Sequence, residues 1–213
     1  VLFVGDSAHV VSPFGARGGN GGIQDVDNLG WKLAAVLSGD APATLLNSYS
    51  DERCHGSAEN ILNSSRATNF MTPKTPIEAL FRNEVLNLAE THPFARKLIN
   101  SGRLSQPCSL HGMPLQSGDH PLVGQSLIDA PLGDGWLVEQ AQGAFTLLSI
   151  GGAAPQIDGI RPLHVDHPAP ELARRYGTGH YLIRPDGHIC AHFDSPDRDQ
   201  ITAAMARAKG QHP

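Results

Sequence analysis

The sequence predicts an α/β chain, and three observations carry that prediction. The chain opens on VLFV, an apolar run that reads as a strand and leads through a glycine-rich loop into a helical pattern. Beyond about residue 103 the texture changes to short apolar runs separated by Gly, Pro and Ser, the mark of strands joined by turns. The closing DRDQITAAMARAKG returns to helix.

Each element has its own signal. VLFV is continuously apolar, so it predicts a strand buried on both faces. Ile23, Val26, Leu29, Leu33, Val36 and Leu37 recur at helical spacing and predict an ordinary core stripe. Gly39 stops that helix, with Pro42 beyond it. PATLLNSYSDERCHGSAENILNSSRATNF predicts a second amphipathic segment with Leu45, Leu46 and Tyr49 inward, punctuated by Pro73 and Pro76. PIEALFRNEVLNLAETHPFARKLINSG predicts one or two helices, broken near Pro93 and closed by Gly102. WLVEQ, FTLLSIGG, LHVDH and HYLIRPDGHICAHF predict strands. Pro185-Asp186-Gly187 makes a turn, so the last two strands form a hairpin. Asp197 or Asp199 caps the closing helix and Gly210 follows it. The shift in composition places a boundary at about residue 105, between a mostly helical 1–104 and a small α/β domain at 105–213.

Composition narrows the function classes. A length of 213 residues suits one large domain or two small ones. The net charge of −5 and the scattered basic residues give no footprint for nucleic acid. No apolar run is long enough to cross a bilayer, and no basic leader precedes the opening run, so a cytoplasmic protein without a membrane partner is expected. Cys54, Cys108 and Cys190 form no CxxC and predict three reduced thiols. Among the 11 histidines the closest pairs are His164/His167 and His188/His192. On a strand the second pair stands about 13 Å apart. No metal site is expected, because no cysteine or carboxylate cluster completes a ligand set.

The opening loop carries the chemistry. Gly5-Asp6 ends the predicted strand, where open α/β sheets place their ligands. Asp6 could accept hydrogen bonds from sugar or polyol hydroxyls, or simply cap a turn. Gly15, Gly18, Gly19, Gly21 and Gly22 lie within eight residues and run into a helix whose first N–H groups favour an anion. They match neither GxGxxG nor GxxxxGK[ST], and glycine count alone also fits a flexible loop with no ligand.

The order of elements is more specific. Gly5-Asp6, Ala8-His9, Pro13, the Gly15–Asn20 loop, Asp25, Asn28-Leu29, Trp31-Lys32-Leu33, Tyr49 and Glu52-Arg53 follow one another in a pattern that resembles the second FAD-binding motif of the flavin-dependent aromatic hydroxylases of the p-hydroxybenzoate and phenol hydroxylase type. The resemblance is close over about residues 1–60. GHYLIRPDGHICAHF is similar to the RPDG hairpin of the thioredoxin-like C-terminal domain carried by a subset of that family, a domain that likewise lacks CxxC. Departures are Ser12-Pro13 where Pro-Pro is common, Ala16 in place of the first glycine of G-x-G-x-N, and Arg17 inside the glycine run.

The resemblance implies the C-terminal part of a Rossmann-like FAD-binding domain of glutathione-reductase type, followed by a thioredoxin-like α/β domain. It implies FAD as cofactor and NAD(P)H as electron donor for hydroxylation of an aromatic, phenolic small molecule with O2. Gly5 and Asp6 would serve the ribityl hydroxyls. Gly18, Gly19 and Asn20 would meet the pyrimidine end of the flavin. The Pro13 carbonyl would face both ring and substrate. No catalytic side chain is assigned. The family's GxGxxG is absent from this sequence, so a missing N-terminal FAD-binding portion is expected as partner, and this chain alone is expected to bind FAD weakly or not at all and to be inactive. A homodimer is a further partner expectation. The alternatives are another flavin reaction, such as epoxidation or halogenation, and a non-catalytic binding or structural module.

Overall fold

The computed structural model describes residues 1–13, 17–99 and 107–211. The chain divides into two compact units, Val1–Val26 with Arg53–Cys108 and Asp27–Glu52 with Ser109–Pro213. Helices α1 (Arg17–Ser38) and α2 (Asn47–Met71) each contribute residues to both units. The boundary expected near residue 105, and Gly102, lie outside the described residues.

In the first unit, α2 is followed by α3 (Pro76–Thr91) and α4 (Pro93–Ile99). Pro76 opens α3, where its missing N–H costs nothing, and a Thr75–Glu78 capping box closes the end. The break at His92-Pro93 falls where the sequence places it.

Two expectations for this region are corrected. Residues 1–4 are exposed and no strand pairs with them among the described residues, although Val4 is extended, with φ −137° and ψ 151°. A strand buried on both faces needs strands beside it, and none is supplied here. The stripe on α1 is core only in part: Ile23, Val26 and Leu37 are 69%, 60% and 79% exposed, while Leu29 and Val36 are half-buried and Val36 packs against Leu45 and Leu115. The helix buries its polar face instead, at Arg17, Gly21, Asp25, Asn28 and Lys32. Spacing identifies the apolar face of a helix; it does not identify which face finds partners.

The second unit holds a four-stranded sheet in the order β4-β3-β5-β6, built from β3 (Thr146–Ile150), β4 (Arg161–Val165), β5 (Gly179–Ile183) and β6 (Ile189–Phe193). β3 and β4 are parallel, joined by residues 151–160 without a helix; β5 and β6 form the expected antiparallel hairpin about Gly187, whose φ is +75°. Alternate residues feed opposite faces. Leu148, Ile150, Tyr181 and Ile183 pack with Leu137, Leu172 and Tyr176 on one side, while Leu147, Leu182 and Ala191 pack with Ile201, Ala204 and Ala208 on the other. The closing helix α7 (Arg198–Ala208) is capped by Asp197, whose carboxylate accepts from the Gln200 N–H at 2.8 Å.

WLVEQ is a correction. Strand β2 (Gly135–Trp136) pairs, among the described residues, with β1 (Pro131–Leu132) alone, and residues Leu137–Ala141 form helix α5. Leu137 and Ala141, one helical turn apart, are both fully buried; a strand would also put them on one face, so the pair fits either period and the local sequence does not decide between them. Helix α6 (Pro170–Tyr176) is an element the sequence reading lacks.

Candidate functional site

The glycine-rich loop is built around one carboxylate in the first unit. Gly5 turns with φ +58° into a short 3₁₀ turn, Gly5–Ser7, and its carbonyl accepts from the N–H groups of Ala8 and His9 at 2.8 and 3.1 Å. Its own N–H donates to Asp25 Oδ2 at 2.8 Å. His9 Nε2 reaches the same oxygen at 2.8 Å, and Arg53 Nε donates to Oδ1 at 2.6 Å. Asp25 is fully buried. Burial works to raise its pKa, but the hydrogen bonds from Arg53, the Gly5 N–H and His9 outweigh it and hold the carboxyl below its ordinary value. Asp25 therefore ties the GDSAH turn, α1 and α2 together, and His9 stands behind the loop as a hydrogen-bonding partner.

The glycine run separates into two kinds of position. A Cβ on Gly21 would meet His9 Cε1 at 3.0 Å, and one on Gly22 would meet Gly5 Cα at 3.3 Å. These two let the turn lie against α1. Gly18 and Gly19 have no such contact within 4 Å among the described residues. They sit in the first turn of α1, where N–H groups lack helical acceptors. Gly18→Ala is accordingly expected to be neutral or to stabilise by up to about 1 kcal/mol, whereas Gly22→Ala should destabilise by about 1–3 kcal/mol through overpacking. Hydrogen-exchange protection of residues 5–9 in the two variants checks this; equal protection would contradict it.

Around that open turn, Gly19, Asn20, Asp6 and Pro13 are exposed and Gly18 is half-buried. Gly15 and Ala16 lie outside the described residues. Pro13 follows a segment anchored to α2: the Ser12 carbonyl accepts from Ser64 Oγ at 3.1 Å, and the Ser12 and Thr68 hydroxyls lie 2.6 Å apart. Open glycines at a helix N-terminus, beside an exposed carboxylate turn, leave room and donors for the polar rim of a flavin, so the residues present fit FAD.

The remaining motif residues meet in the second unit. Arg184 is fully buried and grips Glu52 with two hydrogen bonds of 2.6 and 2.9 Å. It also holds Asp186 through Nε at 3.0 Å and through Nη2. Lys32 Nζ donates to Glu52 at 2.8 Å and to Asn28 Oδ1 at 2.8 Å, while Asn28 Nδ2 donates to Glu52 at 2.7 Å. Trp31 Nε1 donates to Asp186 at 3.1 Å, and its ring lies 5.3 Å from the Arg184 guanidinium. Two cations and two carboxylates thus neutralise one another out of water. Burial would raise the Glu52 pKa, but Arg184 and Lys32 pull it down to about 2. Burial lowers Lys32 to about 8, with the Arg184 charge working the same way against Glu52. The Asn28, Trp31-Lys32 and Glu52 elements and the RPDG hairpin are one network, which the sequence reading treats separately.

Comparison with known proteins places the chain. Residues 1–64 match the model described as FAD binding domain. A 12-dehydrotetracycline 5-monooxygenase/anhydrotetracycline 6-monooxygenase of Streptomyces rimosus is 33% identical over 205 residues, covering 89% of this chain and 39% of the relative. The chain belongs to the FAD-dependent aromatic hydroxylase family. A rifampicin monooxygenase of Streptomyces venezuelae is 33% identical over 206 residues, covering 96% of the chain and 41% of the relative. The solved structure of OxyS anhydrotetracycline hydroxylase from Streptomyces rimosus superposes with a TM-score of 0.71 at 29% identity, covering all of this chain and 45% of that one. The chain thus spans about 40% of the length of the curated relatives it matches. No described helix is long and apolar enough to cross a membrane.

Proposed function

We propose that this chain supplies the ribityl and pyrimidine side of the flavin site in a monooxygenase that hydroxylates a polycyclic or phenolic aromatic small molecule. The observation that carries this reading is the open first turn of α1 at Gly18-Gly19, next to the Asp6 turn that Asp25 clamps. Asp6 would accept from ribityl hydroxyls. N–H groups at Gly19 and Asn20 would face the pyrimidine edge, where negative charge develops on reduction. The Pro13 carbonyl would orient the substrate hydroxyl. FAD, when bound, supplies electrons from NAD(P)H to O2 and the delivery of one oxygen atom to an aromatic carbon. The chain's own part is to bind, orient and exclude water.

The relatives' lengths and the uncovered part of the apolar stripe of α1 support a further FAD-binding portion that packs on this chain. The order β4-β3-β5-β6, one parallel pair and two antiparallel, with α7 on one face, supports a thioredoxin-like second domain at 105–213 that has lost the helix between its first two strands.

Intact mass and absorbance of the protein purified from its source test the reading. A polypeptide longer than 213 residues with flavin absorption is expected, and Asp6→Ala should weaken FAD retention tenfold or more, on the order of a lost charge-assisted hydrogen bond. A mass matching 213 residues with no flavin, even after adding FAD, would reject it in favour of a binding module.

A further inference from the structure

Helix α2 carries His55 and Glu59 one turn apart, and the fold brings Cys108 against that turn. The ligand atoms of the three side chains all lie within 4.8 Å of one another. The Cys108 thiol donates to Glu59 Oε2 at 2.8 Å. Gly56 lies between them: a Cβ there would stand in ordinary contact with Cys108 Cβ, at 3.7 Å, and 3.0 Å from the flexible end of Arg53, Nη1. The nearby guanidinium is already matched by Asp25, so the positive charge beside the cluster is compensated. His55 is exposed, Glu59 half-buried and Cys108 buried, which gives the cluster one wet side and one dry side.

We propose that His55, Glu59 and Cys108 form a binding site for a divalent transition metal, with Zn²⁺ the best match. One imidazole, one carboxylate and one thiolate are the donor types that zinc combines, and a sulfur ligand selects against Mg²⁺ and Ca²⁺. Tetrahedral zinc holds its ligand atoms about 3.3–3.6 Å apart, given bonds of about 2.0–2.3 Å. The thiol and carboxylate therefore need to separate by less than about 1 Å from their present hydrogen bond. Zinc replaces the shared proton: Cys108 leaves its S–H proton to solvent and binds as thiolate. The fourth position faces water on the His55 side. Bound metal would tie Cys108 to α2, within a turn of the Arg53 that steadies the Gly5 loop.

The test uses the full-length protein, chelator-stripped and titrated with CoCl₂ and then ZnCl₂, read as difference spectra. One Co²⁺ per chain is expected, with a near-ultraviolet thiolate-to-cobalt charge-transfer band that one equivalent of Zn²⁺ removes. Cys108→Ser should abolish the band. His55→Ala, at an exposed position that leaves the helix intact by circular dichroism, should weaken binding at least tenfold. Cobalt bound without the charge-transfer band would mean adventitious histidine coordination and would overturn the proposal. So would a band that survives Cys108→Ser, or an affinity unchanged in His55→Ala, which decides the matter even where the cysteine variant folds poorly.

Discussion

Arg184→Met is expected to destabilise the second unit by about 3–5 kcal/mol at pH 7. The guanidinium is the only group that touches both Glu52 and Asp186 as a charge partner among the described residues, and all three side chains are at most 1% exposed. Removing it leaves Glu52 with Lys32 and Asp186 with the His188 ring 3.4 Å away, and Lys32 holds its proton less firmly than usual, with a pKa near 8. The penalty should depend on pH in a defined direction. In the native protein the Glu52 pKa lies at about 2, below its ordinary 4.5. Its contribution, about 3 kcal/mol, is therefore present above pH 4.5 and lost as pH falls toward 2. In Arg184→Met the stranded carboxylates favour their protonated forms, so acid relieves the variant while it weakens the wild type. The difference between the two should shrink from pH 7 to pH 4. Trp31 and Trp136 both lie in this unit, so urea midpoints followed by tryptophan fluorescence read it directly. A loss below about 1 kcal/mol, or one that does not change with pH, would show that the network behaves like a surface ion pair.

What was legible in the sequence was local. Gly39 ends α1 at φ +83°, Pro76 opens α3, Asp197 caps α7, and the RPDG turn closes a hairpin, because each of these depends on backbone preferences of a few neighbouring residues. The strands at 146–150, 161–165 and 179–193 were legible because their apolar runs are bounded by turn residues. WLVEQ was misread because five residues fit either period. The burial of α1 was misread for a deeper reason. Its polar stripe goes inward because Asp25, Asn28 and Lys32 each meet charges or donors from distant segments; Arg184 and Glu52 are 132 residues apart. No window along the chain contains that pairing. The His55–Glu59 pair was visible at helical spacing, but its third member lies 49 residues beyond Glu59.

Asp25→Ala is expected to release the candidate cofactor loop without substituting any residue proposed to contact FAD. Three donors converge on this carboxylate, from Gly5, His9 and Arg53, and the Arg53 side chain is only 11% exposed. Deleting the acceptor takes the carboxylate from a largely buried guanidinium and leaves it the long 3.4 Å bonds to Gly21 O and Gln24 Oε1, at a cost of about 3 kcal/mol. Amide exchange across residues 5–9 should then accelerate on the order of a hundredfold. Asp25→Asn separates electrostatics from packing. Arg53 addresses Oδ1, while Gly5 and His9 address Oδ2, so either orientation of the amide turns its NH₂ toward a donor. The isosteric variant should therefore lose most of the protection that Asp25→Ala loses. Wild-type-like exchange in Asp25→Asn would mean that Asp25 fills space rather than clamping the turn, and would remove the physical basis for placing Asp6 beside the open end of α1. Native Asp25 titrates below its ordinary range, so its clamp persists at neutral pH and weakens only as acid protonates the carboxylate. Exchange at residues 5–9, corrected for its intrinsic pH dependence, should therefore rise on acidification in the wild type and change much less in Asp25→Ala, where no clamp remains to lose.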